Sequence, residues 1–92
     1  MALYPIAIIT EFIGTFIFLF VIVATGNPWA IGATLAVLAY LGGSISGGHY
    51  NPAVSIMFLW DRGIGLPNAL AYIVAQVIAG VLAVVAWKRI KA

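Results

Sequence analysis

Glu11 is the first residue here whose type and setting could do chemistry. It lies in a run from Tyr4 to Ala24 that is otherwise polar only at Thr10 and Thr15. A carboxylate inside an apolar helix costs about 2.5–3.5 kcal/mol on insertion scales, so a partner for it is expected. The second feature is Ser46-Gly47-Gly48-His49-Tyr50-Asn51-Pro52, too polar and glycine-rich to continue an apolar helix. Asn-Pro is a start signal: the Asn51 side-chain oxygen can cap the helix that Pro52 opens, while its amide N–H groups stay free for whatever passes the helix N-terminus. That terminus carries roughly half a positive elementary charge. Ahead of it, the unwound backbone of Ser46 to His49 can present carbonyl acceptors, a conformation that Gly47 and Gly48 permit because they lack a Cβ. Donors and acceptors set in a row beside a positive helix end suit the passage of water or a hydroxylated solute and oppose cations and protons.

Other functions are excluded by what is missing. Glu11, Asp61 and His49 are scattered along the chain, with no nucleophile and base spaced for one site, so no enzyme is expected. His49 could gate by titration or ligate a metal, but a lone histidine in a tight loop reads better as a hydrogen-bonded structural group. No metal and no cofactor are expected. The absence of cysteine rules out disulfides and thiolate sites. Four basic and two acidic residues give a net charge of +2, without the basic face that nucleic acid requires.

The elements that position these residues follow from composition. At 65% hydrophobic and 7% charged residues in 92, the chain falls far below the roughly one-quarter charged content of soluble domains. An integral, multi-pass membrane protein is expected, in a plasma or inner membrane, with the lipid bilayer as its first partner. The opening run lacks a basic segment and is about one bilayer thickness long, which argues against a secretory signal. Spans are expected at about 4–24, 29–45 and 67–87, the second opened by Asn27-Pro28 and the third stopped by Lys88, Arg89 and Lys91. Between the last two lies a loop and short helix at about 46–60, broken by Asp61, Arg62, Gly63 and Gly65. At 1.5 Å per residue, Pro52 to Trp60 reaches only about half of the ~30 Å hydrocarbon core. Backbone of this kind cannot face lipid and must be buried in protein or line water. The expected fold class is therefore an all-α membrane protein with three transmembrane helices and one re-entrant half-helix. Trp29, Trp60 and Trp87 fall near helix ends as interface anchors. Ala71, Ala75, Ala79 and Ala83 form a strip of small side chains on which another helix can pack closely.

The loop Ser46-Gly47-Gly48-His49-Tyr50-Asn51-Pro52-Ala53-Val54-Ser55 resembles the first signature loop of the aquaporin and glycerol-facilitator (major intrinsic protein) family. Glu11-Phe12-Ile13-Gly14-Thr15-Phe16 is similar to that family's first-helix segment, and Ala75-Gln76 to its third-helix segment, so the resemblance covers essentially the whole chain. It implies a passive channel for water and small neutral solutes. Ser46, Gly47, Gly48, His49, Asn51, Pro52, Ala53 and Val54 would line its pore, and Glu11 and Gln76 would brace the loop from behind.

The family has two such halves, inverted relative to each other, whereas this sequence has one. A pore is therefore expected to need a homo-oligomer of at least two copies, with an antiparallel pair as the simplest form. The alternatives are one half of a hetero-oligomeric split channel and a non-conducting structural membrane protein. Arg62 on one side faces Lys88, Arg89 and Lys91 on the other, a modest bias that favours the C-terminus inside. In the family, an arginine follows Asn-Pro-Ala in the second signature loop. Val54 stands in that place here, which weakens the expectation of strict water selectivity and proton exclusion.

Overall fold

A computed structural model describes residues 2–92, folded into four helices: α1 Pro5–Thr25, α2 Pro28–Gly42, α3 Pro52–Trp60 and α4 Leu66–Lys91. Proline stands in the first turn of every one, where its missing N–H is not needed. Gly26, with φ +55°, closes α1 by donating its N–H to the Ile22 carbonyl at 3.0 Å. The Asn27 side-chain oxygen then caps α2 by accepting from the N–H groups of Trp29 (2.9 Å) and Ala30 (3.1 Å).

α2 stops earlier than the apolar run suggests. Residues 43–46 form turns, and the Gly42 carbonyl accepts from the N–H groups of Ile45, Ser46 and Gly47 at 3.0, 2.9 and 3.3 Å. The glycine pair at 42 and 43 is poor helix material, and collecting three donors on one carbonyl tightens the chain out of the helix. α4 runs past the expected boundary instead, through Lys88, Arg89 and Lys91 in its last turn, where positive side chains favour a helix C-terminus. α1 and α4 are both long and apolar enough to cross a membrane, whereas α2, at 15 residues, is shorter.

α1 and α4 lie side by side and run in the same direction. At one end the Tyr4 N–H donates to Asn68 Oδ1 at 2.9 Å, and at the other Phe20 meets Trp87 edge-on with ring centroids 6.0 Å apart. α2 packs on α1 and α3 on α4. Ala7, Gly14, Ala69, Ala75, Ala79 and Ala83 are buried, so the two long helices approach through small side chains, while Ala71 is only half-buried. The polar groups Glu11, Thr15, Ser46, His49, Ser55, Asn68 and Gln76 are buried with them, and Ile6, Ile9, Ile13, Val74, Val77 and Val81 point outward. That distribution is the inverse of a water-soluble fold, which buries its aliphatic side chains and exposes its carboxylates and amides.

Candidate functional site

The loop ahead of α3 is held by one carboxylate. Glu11 is fully buried, and each of its oxygens accepts two hydrogen bonds. Oε2 takes Ser46 Oγ at 2.7 Å and the His49 N–H at 2.9 Å, and Oε1 takes the Tyr50 N–H at 2.7 Å and Gln76 Nε2 at 3.0 Å. A carboxylate that accepts four donors is used to capacity as an acceptor, and these donors stand where a counter-ion would otherwise be needed. Two of the four donors are consecutive backbone amides, so the loop is bound through its main chain.

The backbone between them turns sharply. Gly47 (φ +93°), Gly48 (φ +62°) and Tyr50 (φ +54°) all lie at positive φ. At Gly48 a side chain would also press on α2, since an added Cβ would lie 3.2 Å from the Ala39 Cα. Tyr50, a residue with a Cβ whose backbone lies in the left-handed region, costs of order 1–3 kcal/mol there and must be held. Its ring lies against Gly14 and its hydroxyl against Gly42, at positions that a Cβ on either glycine would occupy, and the hydroxyl donates to the Leu38 carbonyl at 2.8 Å. α4 supports the loop from the other side, where Tyr72 donates its hydroxyl to the Ser46 carbonyl at 2.7 Å.

The sequence-identified residues separate into two groups. Glu11, Gln76, Ser46, Gly48 and His49 meet in the network, where Ser46 Oγ also accepts from the Gly48 N–H at 3.1 Å. Ser46 and His49 are themselves buried, with the Ser46 carbonyl bound by Tyr72 and the His49 N–H by Glu11. Asn51 and Ala53 are exposed at the head of α3, Pro52 and Val54 are half-buried, and Gly47 is exposed. Asn51 Oδ1 accepts from the Ala53 N–H at 2.8 Å, and its amide nitrogen has no partner among the described residues.

Tyr50, Ser55 and Tyr72 carry parts of this site that the sequence reading assigned no role. Tyr72 and Gln76 stand four residues apart in an apolar helix, a polar pair that could have marked the face of α4 turned to the loop, while Asn68, one turn earlier, holds the Ala2–Tyr4 segment instead. Ser55 sits fully buried between His49 Nδ1 (2.8 Å) and Gln76 Nε2 (2.9 Å), and nothing in its local sequence points there.

Two recesses flank α3. One, of about 760 Å³, opens beside its C-terminal end and is lined by His49, Phe58, Arg62, Tyr72 and Tyr4 among others. The other, of about 510 Å³, begins at Pro52 and Gln76 and continues between α1 and α4 along Leu19, Ile22, Val77 and Gly80. Among the described residues no three His, Cys, Asp or Glu side chains come together as a metal site.

The chain is all-helical, with a capped short helix behind a carboxylate-bound loop. The chain belongs to the major intrinsic proteins, whose family model matches residues 5–91. Among curated relatives it is 41% identical over 95 residues to a protein named probable aquaporin PIP2-8 of Arabidopsis thaliana, covering 85% of this chain and 34% of that one. It is 42% identical over 89 residues to glycerol uptake facilitator protein-like 6 of Lactiplantibacillus plantarum, covering 87% of this chain and 41% of the relative. The chain thus spans well under half the length of these relatives. No solved structure matches it.

Proposed function

We propose that this chain is one half of a passive membrane channel for water and small neutral solutes. α1, α2 and α4 span the bilayer, and the segment from Ser46 to Trp60 re-enters it as a pore loop and half-helix. The second half is an inverted copy of the same chain, so that the smallest conducting unit is an antiparallel homodimer. Asn51, Pro52, Ala53, Val54 and the Ser46–His49 main chain line the path, and Glu11 and Gln76 brace them.

The observation that carries this reading is the groove beyond Pro52. α3 fills one part of the space beside α1 and α4, and the groove of about 510 Å³ continues past its N-terminus, lined by apolar side chains with Gln76 at its floor. A second α3 entering from the opposite side would fill it and bring two positive helix ends together, each offering a free asparagine amide. The outward aliphatic residues and the length of α1 and α4 support insertion in a bilayer, which we take to be a plasma or inner membrane. The names of the two relatives support water and glycerol-like solutes as the permeants.

One observation favours a distinct partner half instead. Lys88, Arg89 and Lys91 are all exposed at one end of the helix pair, while Arg62 at the other has Asp61 beside it. That bias favours one orientation, and an even antiparallel pair needs both. Osmotic shrinkage of liposomes holding only this chain separates the two. Fast shrinkage with a low temperature dependence, lost in Asn51→Asp, supports the homomeric pore. Shrinkage no faster than empty liposomes, from folded protein, rejects it. Val54→Arg is expected to slow glycerol more than water, and equal effects on both would show that Val54 is off the path.

A further inference from the structure

The hydrogen-bond directions behind the loop decide which nitrogen of His49 carries its proton. Gln76 Nε2 has two hydrogens and two acceptors, Glu11 Oε1 at 3.0 Å and Ser55 Oγ at 2.9 Å. The reverse amide orientation would set two acceptor oxygens against each other, so the carboxylate fixes the amide. Ser55 Oγ therefore receives one hydrogen bond and has one hydroxyl proton to give. Ser55 is fully buried, and among the described residues the one acceptor within reach of that proton is His49 Nδ1, at 2.8 Å. An Nδ1–H donating to Ser55 would leave the serine proton without an acceptor in a dry site, at a cost of about 1–3 kcal/mol.

The proton of the imidazole then resides on Nε2. That nitrogen has no partner among the described residues, yet the side-chain atoms both sealed from solvent and unpartnered are only Thr15 Oγ1 and Gln76 Oε1. Nε2 is thus reachable, and His49 lines the recess of about 760 Å³. Gly47 keeps that edge clear, because a Cβ there would lie 3.0 Å from Nε2. The ring cannot easily turn: Phe58 stacks on it at 4.8 Å and Tyr72 meets it at 5.1 Å, edge to face.

We propose that Ser55, oriented by Gln76, is a positioning residue that locks His49 in the Nε2–H form and so sets a fixed hydrogen-bond donor into the recess. The ligand taken there is an acceptor oxygen, that of water or a neutral hydroxylated solute, and not ammonium or a hydrated metal cation. This rests on the channel reading for its purpose, though not for its geometry.

His49 is the single histidine of the chain, so histidine labelled with nitrogen-15 gives one pair of ring signals from the full protein in liposomes. The expected spectrum has an unprotonated Nδ1 and a protonated Nε2 that exchanges magnetisation with water. Ser55→Ala should replace this single form by a tautomer mixture, and Ser55→Thr, which keeps the hydroxyl, should restore it. A dominant Nδ1–H in the unaltered protein, protons on both nitrogens at neutral pH, or an unchanged spectrum in Ser55→Ala would overturn the proposal. Osmotic shrinkage of the same liposomes reads the channel separately. A protonated Nε2 without flux would reject the pore and leave the positioning role standing.

Discussion

Replacing Glu11 by glutamine tests the centre of the site, because it removes a charge and changes almost nothing in size. The carboxylate accepts four hydrogen bonds, whereas a glutamine side chain keeps one acceptor oxygen and turns two N–H groups toward whatever faced the other. The less costly orientation places the amide nitrogen where Oε2 was. Ser46 Oγ can rotate to accept there, but the His49 N–H cannot, and it becomes a buried donor facing a donor at about 1–3 kcal/mol. The bonds that survive lose their charge assistance, roughly halving each, for another ~1–3 kcal/mol together. Releasing a buried charge offsets part of this, leaving a net loss of about 2–4 kcal/mol. The assay is unfolding of the purified protein in a fixed detergent, joined with amide hydrogen exchange at His49 and Tyr50. Both amides should lose protection before any part of α1 or α4 does. A stability loss under about 1 kcal/mol, with His49 and Tyr50 as protected as before, would refute the reasoning.

Three further outcomes follow from other contacts. Asn51→Asp keeps an oxygen to cap Ala53 but replaces the free amide with charge, so osmotic permeability of reconstituted liposomes should fall sharply with little loss of helix content. Gly14→Ala drives a methyl into the Tyr50 ring and should cost about 1–3 kcal/mol in detergent unfolding, and Gly14→Ala combined with Tyr50→Ala should recover part of it. Asn68→Ala removes both hydrogen bonds that tie the Ala2–Tyr4 segment to α4, the Tyr4 N–H to Oδ1 at 2.9 Å and Nδ2 to the Ala2 carbonyl at 3.0 Å. It should lower stability by roughly 1–2 kcal/mol, with increased proteolysis at Leu3 and Tyr4 as the second readout.

The starts of the helices were legible in the sequence, because proline and asparagine caps act locally through backbone sterics. α3 runs from Pro52 to Trp60, the stretch its capping and stop signals delimit. The end of α2 was not legible in the same way. Gly42, Gly43 and Ser44 look like a helix tail in a linear reading, and the tight turn there depends on three N–H groups converging on one carbonyl and on Tyr50 packing against Gly42.

The need for a partner at Glu11 could also be read from its apolar setting, since a buried charge demands donors wherever it sits. Which donors answer it could not. The Ser46 hydroxyl and the amides of His49 and Tyr50 lie 35 to 39 positions away along the chain, and Gln76 lies 65 away. Only the parallel packing of α1 on α4 brings Gln76 level with Glu11, and only the packing of α3 on α4 puts Ser55 within reach of Gln76. Hydrogen bonds act over about 3 Å, and groups this distant in sequence come within that range only once the helices have packed.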